Sequence, residues 1–561
     1  MSRRERLRVI VSCLLPMAAA VGTAGCSAST NLAVEDTGSD RPPDAPTLSR
    51  DFHAQVAMRD GVRLDARVLL PPEGSGPWPT LLLRSPYLGG GSDGHVSIFG
   101  GFLDRGYALV LQACRGTGDS EGALEPLVQE FPDGGDTVDW LVAQSWSNGR
   151  VGTFGGSYEG FTAGAAAVAN PAVDVVVMDG AITRAFAGWP GRRGVPRALG
   201  MLWWWTQVQG RPDPATSPEF SRLITNTRPI AGHDIAYLGD EVRVWRELVP
   251  HLDGDSTFWD ERSLVGRIGR SCVPMLHLQA AQEWDDDPLA AFLDSQGSGC
   301  SAEERAAQRF ILGSHSHAGA VYDPMSATPS SKLLRMYFDR YLKDEPVEIE
   351  AVPRVQYYLT GASAWGEAAT WPPGESRLEL FLSTDTLVSS VPPAGAGELR
   401  LDPENDDPCA LDYAKYLTFV SEPLESDVDL VGGAEVHLSV EIDAPDADVF
   451  VNLLTLSPAN EASWVHGSVV RLRYRRSPDA PTPMTPAMAE QVSLELPAVA
   501  TRLPAGHRLA LSLSGAECGT SENPHTGGPV AEESEARPVS IRVHSGGASP
   551  SFVRLPVVTA R

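Results

Sequence analysis

Apolar residues follow two rhythms along this chain. Between residues 80 and 180 they gather in short continuous runs: Thr80-Leu81-Leu82-Leu83-Arg84, Tyr107 to Gln112, Val151 to Phe154 and Val173 to Met178. Such runs mark strands buried on both faces. Phe99 to Arg105, Asp133 to Gln144 and Tyr158 to Val168 read as helices between them, with Val138, Leu141 and Val142 on one face of the second. This β-α-β alternation predicts a mostly parallel sheet with helices on both faces. Phe52 to Leu70 alternates around Asp60-Gly61 and predicts a β-hairpin ahead of it. Val273 to Leu278 and Arg309 to Leu312 restore the strand pattern, and Leu333 to Lys343 is a last amphipathic helix.

Two stretches break the alternation. From about Arg184 to Arg270 no strand pattern is visible, and tryptophans accumulate: Trp189, Trp203, Trp204, Trp205, Trp245 and Trp259. This predicts a helical cap inserted into the α/β unit, its aromatics shared between a small core of its own and a substrate pocket. After Pro346 short strands alternate between Gly, Pro and Asp breaks, as in Arg377 to Leu382, Glu435 to Ile442, Val449 to Leu456, Val469 to Tyr474 and Arg508 to Leu513. Their spacing predicts a β-sandwich. The chain thus divides into a leader (1–25), a tether (26–48), an α/β core in two parts (49–184 and 271–346), a cap (185–270) and a C-terminal sandwich (350–561).

The leader rests on Arg3, Arg4, Arg6 and Arg8 ahead of the apolar run Val9 to Val21, which is too short to span a bilayer comfortably. Ala24-Gly25-Cys26 resembles the end of a bacterial lipobox, although Thr23 stands where Leu is usual. The expectation is export, with Cys26 lipidated at the cell surface or periplasmic face; plain secretion with a cut near Ala24 is the alternative. The formal net charge is −27, which argues against nucleic acid or an acidic membrane surface as partner. Any membrane attachment would run through the N-terminal lipid. Of the five cysteines beyond Cys26, Cys272 and Cys300 are the candidate bridge, and the set fits no zinc pattern. No P-loop or dinucleotide fingerprint is present, and no metal or cofactor is called for.

Three segments fit Gly-x-Ser-x-Gly, around Ser92, Ser120 and Ser157. A nucleophile elbow needs a strand, a sharp turn and a helix. Only Ser157 has them, between Val151–Phe154 and the Ala-rich run from Tyr158. An acid cluster, Glu283-Trp284-Asp285-Asp286-Asp287, follows the next strand. His315 and His317 follow the one after. Ser, acid and His at successive strand ends is the chain order of α/β-hydrolases.

Trp140-Leu141-Val142-Ala143-Gln144-Ser145-Trp146-Ser147-Asn148-Gly149 and Gly152 to Tyr158 resemble the Xaa-Pro dipeptidyl-peptidase/cocaine esterase family of serine hydrolases. So do Arg84-Ser85-Pro86-Tyr87, Arg115 to Gly122, Phe419 to Leu424, Leu503 to Arg508 and Asn523 to Gly528. The resemblance implies an α/β-hydrolase fold with a helical cap and a C-terminal jelly roll of the galactose-binding-like type. It implies Ser157 as nucleophile, Asp285 as acid and His317 as base, with the Tyr87 hydroxyl and the Tyr158 amide as oxyanion hole. Ala113 stands where the family often has Asp. The acid loop departs from the family's Gly-rich run, which leaves Asp286 and Asp287 open as the acid. Trp189, Trp203 and Asp287 are the substrate-binding candidates; Arg192-Arg193 argue against selection for an α-amino group. The function implied is hydrolysis of an ester or amide of a small acyl substrate, an esterase before an Xaa-Pro peptidase. A silent carbohydrate- or cell-wall-binding protein is the alternative from another class.

Overall fold

Successive residues of a strand face opposite sides of its sheet, and the central strands here bury both. Leu82, Val110, Val176 and Met178 pack with Val138, Leu141 and Phe161 on one side. Their neighbours Leu81, Leu83, Leu109, Leu111, Val175 and Val177 pack with Leu334, Tyr337 and Phe338 on the other. This double burial is why these strands read as unbroken apolar runs. The computed structural model describes residues 50–558, apart from 189–190, 212–224, 255, 282, 284–286, 298, 375, 408, 410–415, 478–479, 519 and 521–522. The leader and the tether lie outside the described residues.

Ten strands form the first sheet: β1 (Asp51–Ala57), β2 (Arg63–Leu69), β3 (Trp78–Ser85), β4 (Ala108–Ala113), β5 (Ser147–Gly156), β6 (Val173–Asp179), β7 (Met275–Ala280), β8 (Arg309–Gly313), β9 (Val355–Leu359) and β10 (Ala364–Ala368). Their spatial order is β1-β2-β4-β3-β5-β6-β7-β8-β9-β10. β1 and β2 form the expected hairpin, and pairing is parallel from β4 through β9. Helices α1 (Asp93–Phe99), α2 (Glu130–Val142), α3 (Tyr158–Ala169), α4 (Ala198–Val208), α5 (Asp287–Asp294) and α6 (Pro329–Lys343) follow in chain order. The expected helix over 99–105 is instead α1 and a single turn, Gly101–Asp104, broken at Gly100.

The cap carries α4 and several short helices, with Trp204, Trp245 and Trp259 buried in its core. It also holds a two-stranded hairpin, Gly191–Arg192 with Val195–Pro196, which the helical reading of this stretch passed over. Val195 at its tip packs on Phe450 and Val469 of the C-terminal domain. That domain is the expected β-sandwich: among the described residues, thirteen strands share one hydrogen-bonded array around a large apolar core, with a smaller cluster of Val420, Leu454, Leu456, Ala462 and Ala510 beside it. The strand expected to run to Tyr474 ends at Arg471 and continues as a 3-10 turn, Leu472–Tyr474.

Among the described residues there are two disulfides, Cys272–Cys300 and Cys409–Cys518. The second joins residues 109 apart, a separation that leaves no local trace. Cys114 is buried, and burial holds its thiol well above its ordinary pKa and therefore protonated.

His277 on β7 is fully buried beside Phe292, and burial pushes its pKa down to about 3. A folded-state pKa below the unfolded value means stability that is present above about pH 6.5 and lost as pH falls toward 3. Between pH 7 and pH 5 the wild type should therefore lose about 2 kcal/mol more than His277→Gln in urea unfolding. Equal losses would show that His277 is not a buried neutral group.

Candidate active site

Ser157 sits between β5 and α3 with φ +55° and ψ −126°. This is backbone that a side-chain-bearing residue adopts only under constraint, and it is the elbow that the motif predicts. The constraint comes from both sides. Ser157 N–H donates to the main-chain carbonyl of Asp179 at the end of β6 (2.9 Å). Gly156 faces the loop after β8 so closely that a Cβ there would lie 2.4 Å from the Cβ of Ala318. The elbow thus touches the residue next to His317.

Asp179 ties that loop down. Its Oδ2 accepts from the N–H groups of Ala320 (2.9 Å) and Val321 (3.1 Å). Burial raises its pKa, against His315 and these N–H donors. Glu159, second after the nucleophile, is buried and accepts from the Tyr322 hydroxyl (2.7 Å), while His95 Nε2 lies 3.0 Å from its other oxygen. One carboxylate on α3 therefore grips both the histidine loop and α1.

Of the two histidines, His317 is the one hydrogen-bonded to a carboxylate side chain. Its Nδ1 lies 2.8 and 3.0 Å from the two oxygens of Glu283. Desolvation would press the imidazolium down, but the Glu283 charge and hydrogen bond outweigh it, so the pKa of His317 stands above its ordinary value. The pair packs against Gly180, where a Cβ would lie 2.8 Å from His317 Nδ1 and 2.9 Å from Glu283 Oε1, at φ +59°. His315 turns away, with Nδ1 on the Ser316 carbonyl (3.0 Å) and 3.9 Å from Asp179 Oδ1.

The carboxylate on His317 was expected from Asp285. Asp285 lies outside the described residues, as do Trp284 and Asp286; the acid that the structure puts on Nδ1 is Glu283, three residues past β7. The strand-end rule is compatible with Glu283 as much as with Asp285, whereas the aromatic-acid pattern of the resemblance points only to Asp285. Asp287 begins α5, but its side chain is outside the described residues. Trp189 is outside them as well. Trp203 lies half-buried on α4.

Tyr87 follows β3 and has its hydroxyl within hydrogen-bond reach of Ser157. Trp204 Nε1 donates to the same hydroxyl oxygen (3.1 Å). Burial raises the Tyr87 pKa, and so does the charge of Glu159; the two hydrogen bonds oppose them. Tyr158 is fully buried. Its hydroxyl donates to Glu130 Oε1 and accepts from Leu127 N–H, each at 3.0 Å, so the residue that follows the nucleophile is anchored at its far end. Glu130 in turn meets Arg84, fully buried, at 3.1 Å. A candidate nucleophile, base and acid and two candidate oxyanion donors are thereby assembled around one elbow. That set is suited to acyl transfer.

Residues 60–318 match the X-Pro dipeptidyl-peptidase (S15 family) model, and residues 348–554 match the X-Pro dipeptidyl-peptidase C-terminal non-catalytic domain. A cocaine esterase of Rhodococcus sp. (strain MB1 Bresler) is 27% identical over 90% of this chain and 98% of its own. Two solved structures share the fold. An aminopeptidase from a marine sediment archaeon, Thaumarchaeota archaeon, superposes with TM-score 0.78 at 21% identity, over 94% of this chain and all of its own. An α-amino acid ester hydrolase does so with TM-score 0.77 at 24% identity, over 92% and 98%. The chain belongs to the Xaa-Pro dipeptidyl-peptidase/cocaine esterase family of serine hydrolases.

Proposed function

We propose that this serine hydrolase is an exported esterase acting through Ser157, His317 and Glu283. The observation that carries the proposal is the His317–Glu283 pair, seated against the strand end that also holds the elbow. His317 Nε2 takes the proton of Ser157 as Oγ attacks the substrate carbonyl. The oxyanion is met by the Tyr87 hydroxyl and the Tyr158 N–H. Glu283 keeps the Nδ1 proton in place and stabilises the imidazolium. The imidazolium then protonates the leaving group, and the acyl group stays on Ser157. Water, deprotonated by His317, releases the acid. Trp203 on α4 is the candidate for contact with the acyl or leaving group.

Two observations support an ester substrate and export. The esterase relative aligns over nearly its whole length with nearly the whole of this chain. Two disulfides fit an oxidising compartment, in keeping with a leader before Cys26 and a lipid anchor there.

Hydrolysis of a p-nitrophenyl ester panel by residues 45–561 should proceed with wild type. It should fall by several orders of magnitude in Ser157→Ala. Turnover of Xaa-Pro amides with inert esters would make the protein a peptidase; equal activity of both proteins would remove Ser157 as nucleophile.

The imidazole is a base only when neutral, so kcat/KM should fall with decreasing pH through the raised pKa of His317. Glu283→Gln removes the charge that raises it. The acid limb should move to lower pH, and the plateau should drop by roughly two to four orders of magnitude. If Glu283→Gln leaves limb and plateau alone while Asp285→Asn moves both, the acid is Asp285.

A further inference from the structure

We propose that Trp204, from the cap, is a positioning residue that turns the Tyr87 hydroxyl into an obligate donor toward the oxyanion. The inference rests on Tyr87 being an oxyanion donor, as proposed above.

An indole N–H is a donor only. At 3.1 Å from the Tyr87 oxygen, Trp204 Nε1 leaves that oxygen no choice but to accept. A phenolic hydroxyl has one proton, and conjugation keeps it near the ring plane. With one acceptor direction of the oxygen taken by the indole, the proton is left for another neighbour, and Ser157 is the neighbour that shares a side-chain hydrogen bond with this hydroxyl. Accepting from the indole also polarises the O–H and strengthens it as a donor. The same indole stacks on the Tyr158 ring, with centroids 5.3 Å apart and planes 27° apart. Tyr158 carries the second oxyanion N–H. Trp204 is buried and belongs to α4. One cap residue therefore touches both residues of the hole, and the hole is complete only while the cap helix is seated.

The test is a double-mutant cycle on a p-nitrophenyl ester, with Trp204→Phe, Tyr87→Phe and the double variant. Phenylboronic acid, which forms a tetrahedral adduct on serine, serves as transition-state probe. Tyr87→Phe alone should lower kcat by roughly a hundredfold, as loss of one oxyanion donor does. Trp204→Phe should lower kcat about tenfold, the scale of one net hydrogen bond, with KM within about twofold. It should weaken phenylboronic acid by the same factor. In the Tyr87→Phe background Trp204→Phe should cost nothing further. Equal losses in both backgrounds, a rise in KM alone, or unchanged kcat and boronate affinity would each overturn the proposal. An undiminished Tyr87→Phe would instead overturn the oxyanion role of Tyr87 itself. Should Trp204→Phe not fold, benzothienylalanine at position 204 keeps the indole's shape without its N–H, and the same criteria apply.

Discussion

Everything at the active site depends on the end of β6. Asp179 is fully buried there, and it serves two masters with two different groups. Its main-chain carbonyl holds Ser157 N–H; its carboxylate holds two N–H groups of the histidine loop. A carboxylate out of water is costly unless its lone pairs are met; here Oδ2 takes both backbone N–H groups, while the His315 ring stands 3.9 Å from Oδ1. A side chain can be lost to a rotamer change, but a loop bonded by its own N–H groups must refold to leave. Ser157 and the loop that carries His317 are thus indexed to the same residue, although 160 positions separate Ser157 from His317 along the chain. Glu159 repeats the device at the second position of α3, through Tyr322 and His95.

The cap and the C-terminal domain are held to each other by a second set of charges. Arg471, fully buried, forms a bidentate pair with Asp448, which also accepts from Asn523 (2.7 Å). Arg473 reaches across to Asp253 of the cap (2.9 Å), whose other oxygen accepts from Val530 N–H. Such pairs rarely add net stability over apolar packing, because desolvation consumes the Coulombic gain. They do penalise any alternative docking that would leave one charge buried without the other. Burial pushes Asp446, in the same cluster, up to about 6, so the protonation state of this interface is set by its assembly. The short hairpin that seats Val195 on Phe450 and Val469 lies just ahead of α4. Through that connection the sandwich helps to fix the helix that carries Trp204.

Much of this was legible in the residues. Buried parallel strands declare themselves as apolar runs because both faces are covered, and the elbow declares itself because a strand and an Ala-rich helix flank Ser157. The choice of His317 over His315 followed from the resemblance and agrees with the partner each ring has. What was not legible depends on loop path and on docking. Four acids stand within the five residues from Glu283 to Asp287; which one meets a histidine 34 positions later is decided by how the chain leaves β7, and no periodicity records that. Likewise, Trp203, Trp204 and Trp205 point about 100° apart on a helix. Composition makes them equivalent. Only the seating of α4 on the core selects Trp204 for Tyr87 and Tyr158 and leaves its two neighbours half-buried.

The identity of the acid has a physical logic of its own. A carboxylate must lie in the plane of the imidazole, on the side away from the serine, to hold Nδ1–H without disturbing Nε2. Glu283 follows the strand end by three residues and its amide is still bonded back to Ala280 (3.2 Å). At that distance from the sheet the backbone is tightly turned, and the extra methylene of Glu supplies reach that a shorter side chain lacks. Both oxygens then come within 3.0 Å of Nδ1. Side-chain length and strand-end distance trade against each other. In this chain Glu283, close to the strand end and with the longer arm, meets His317.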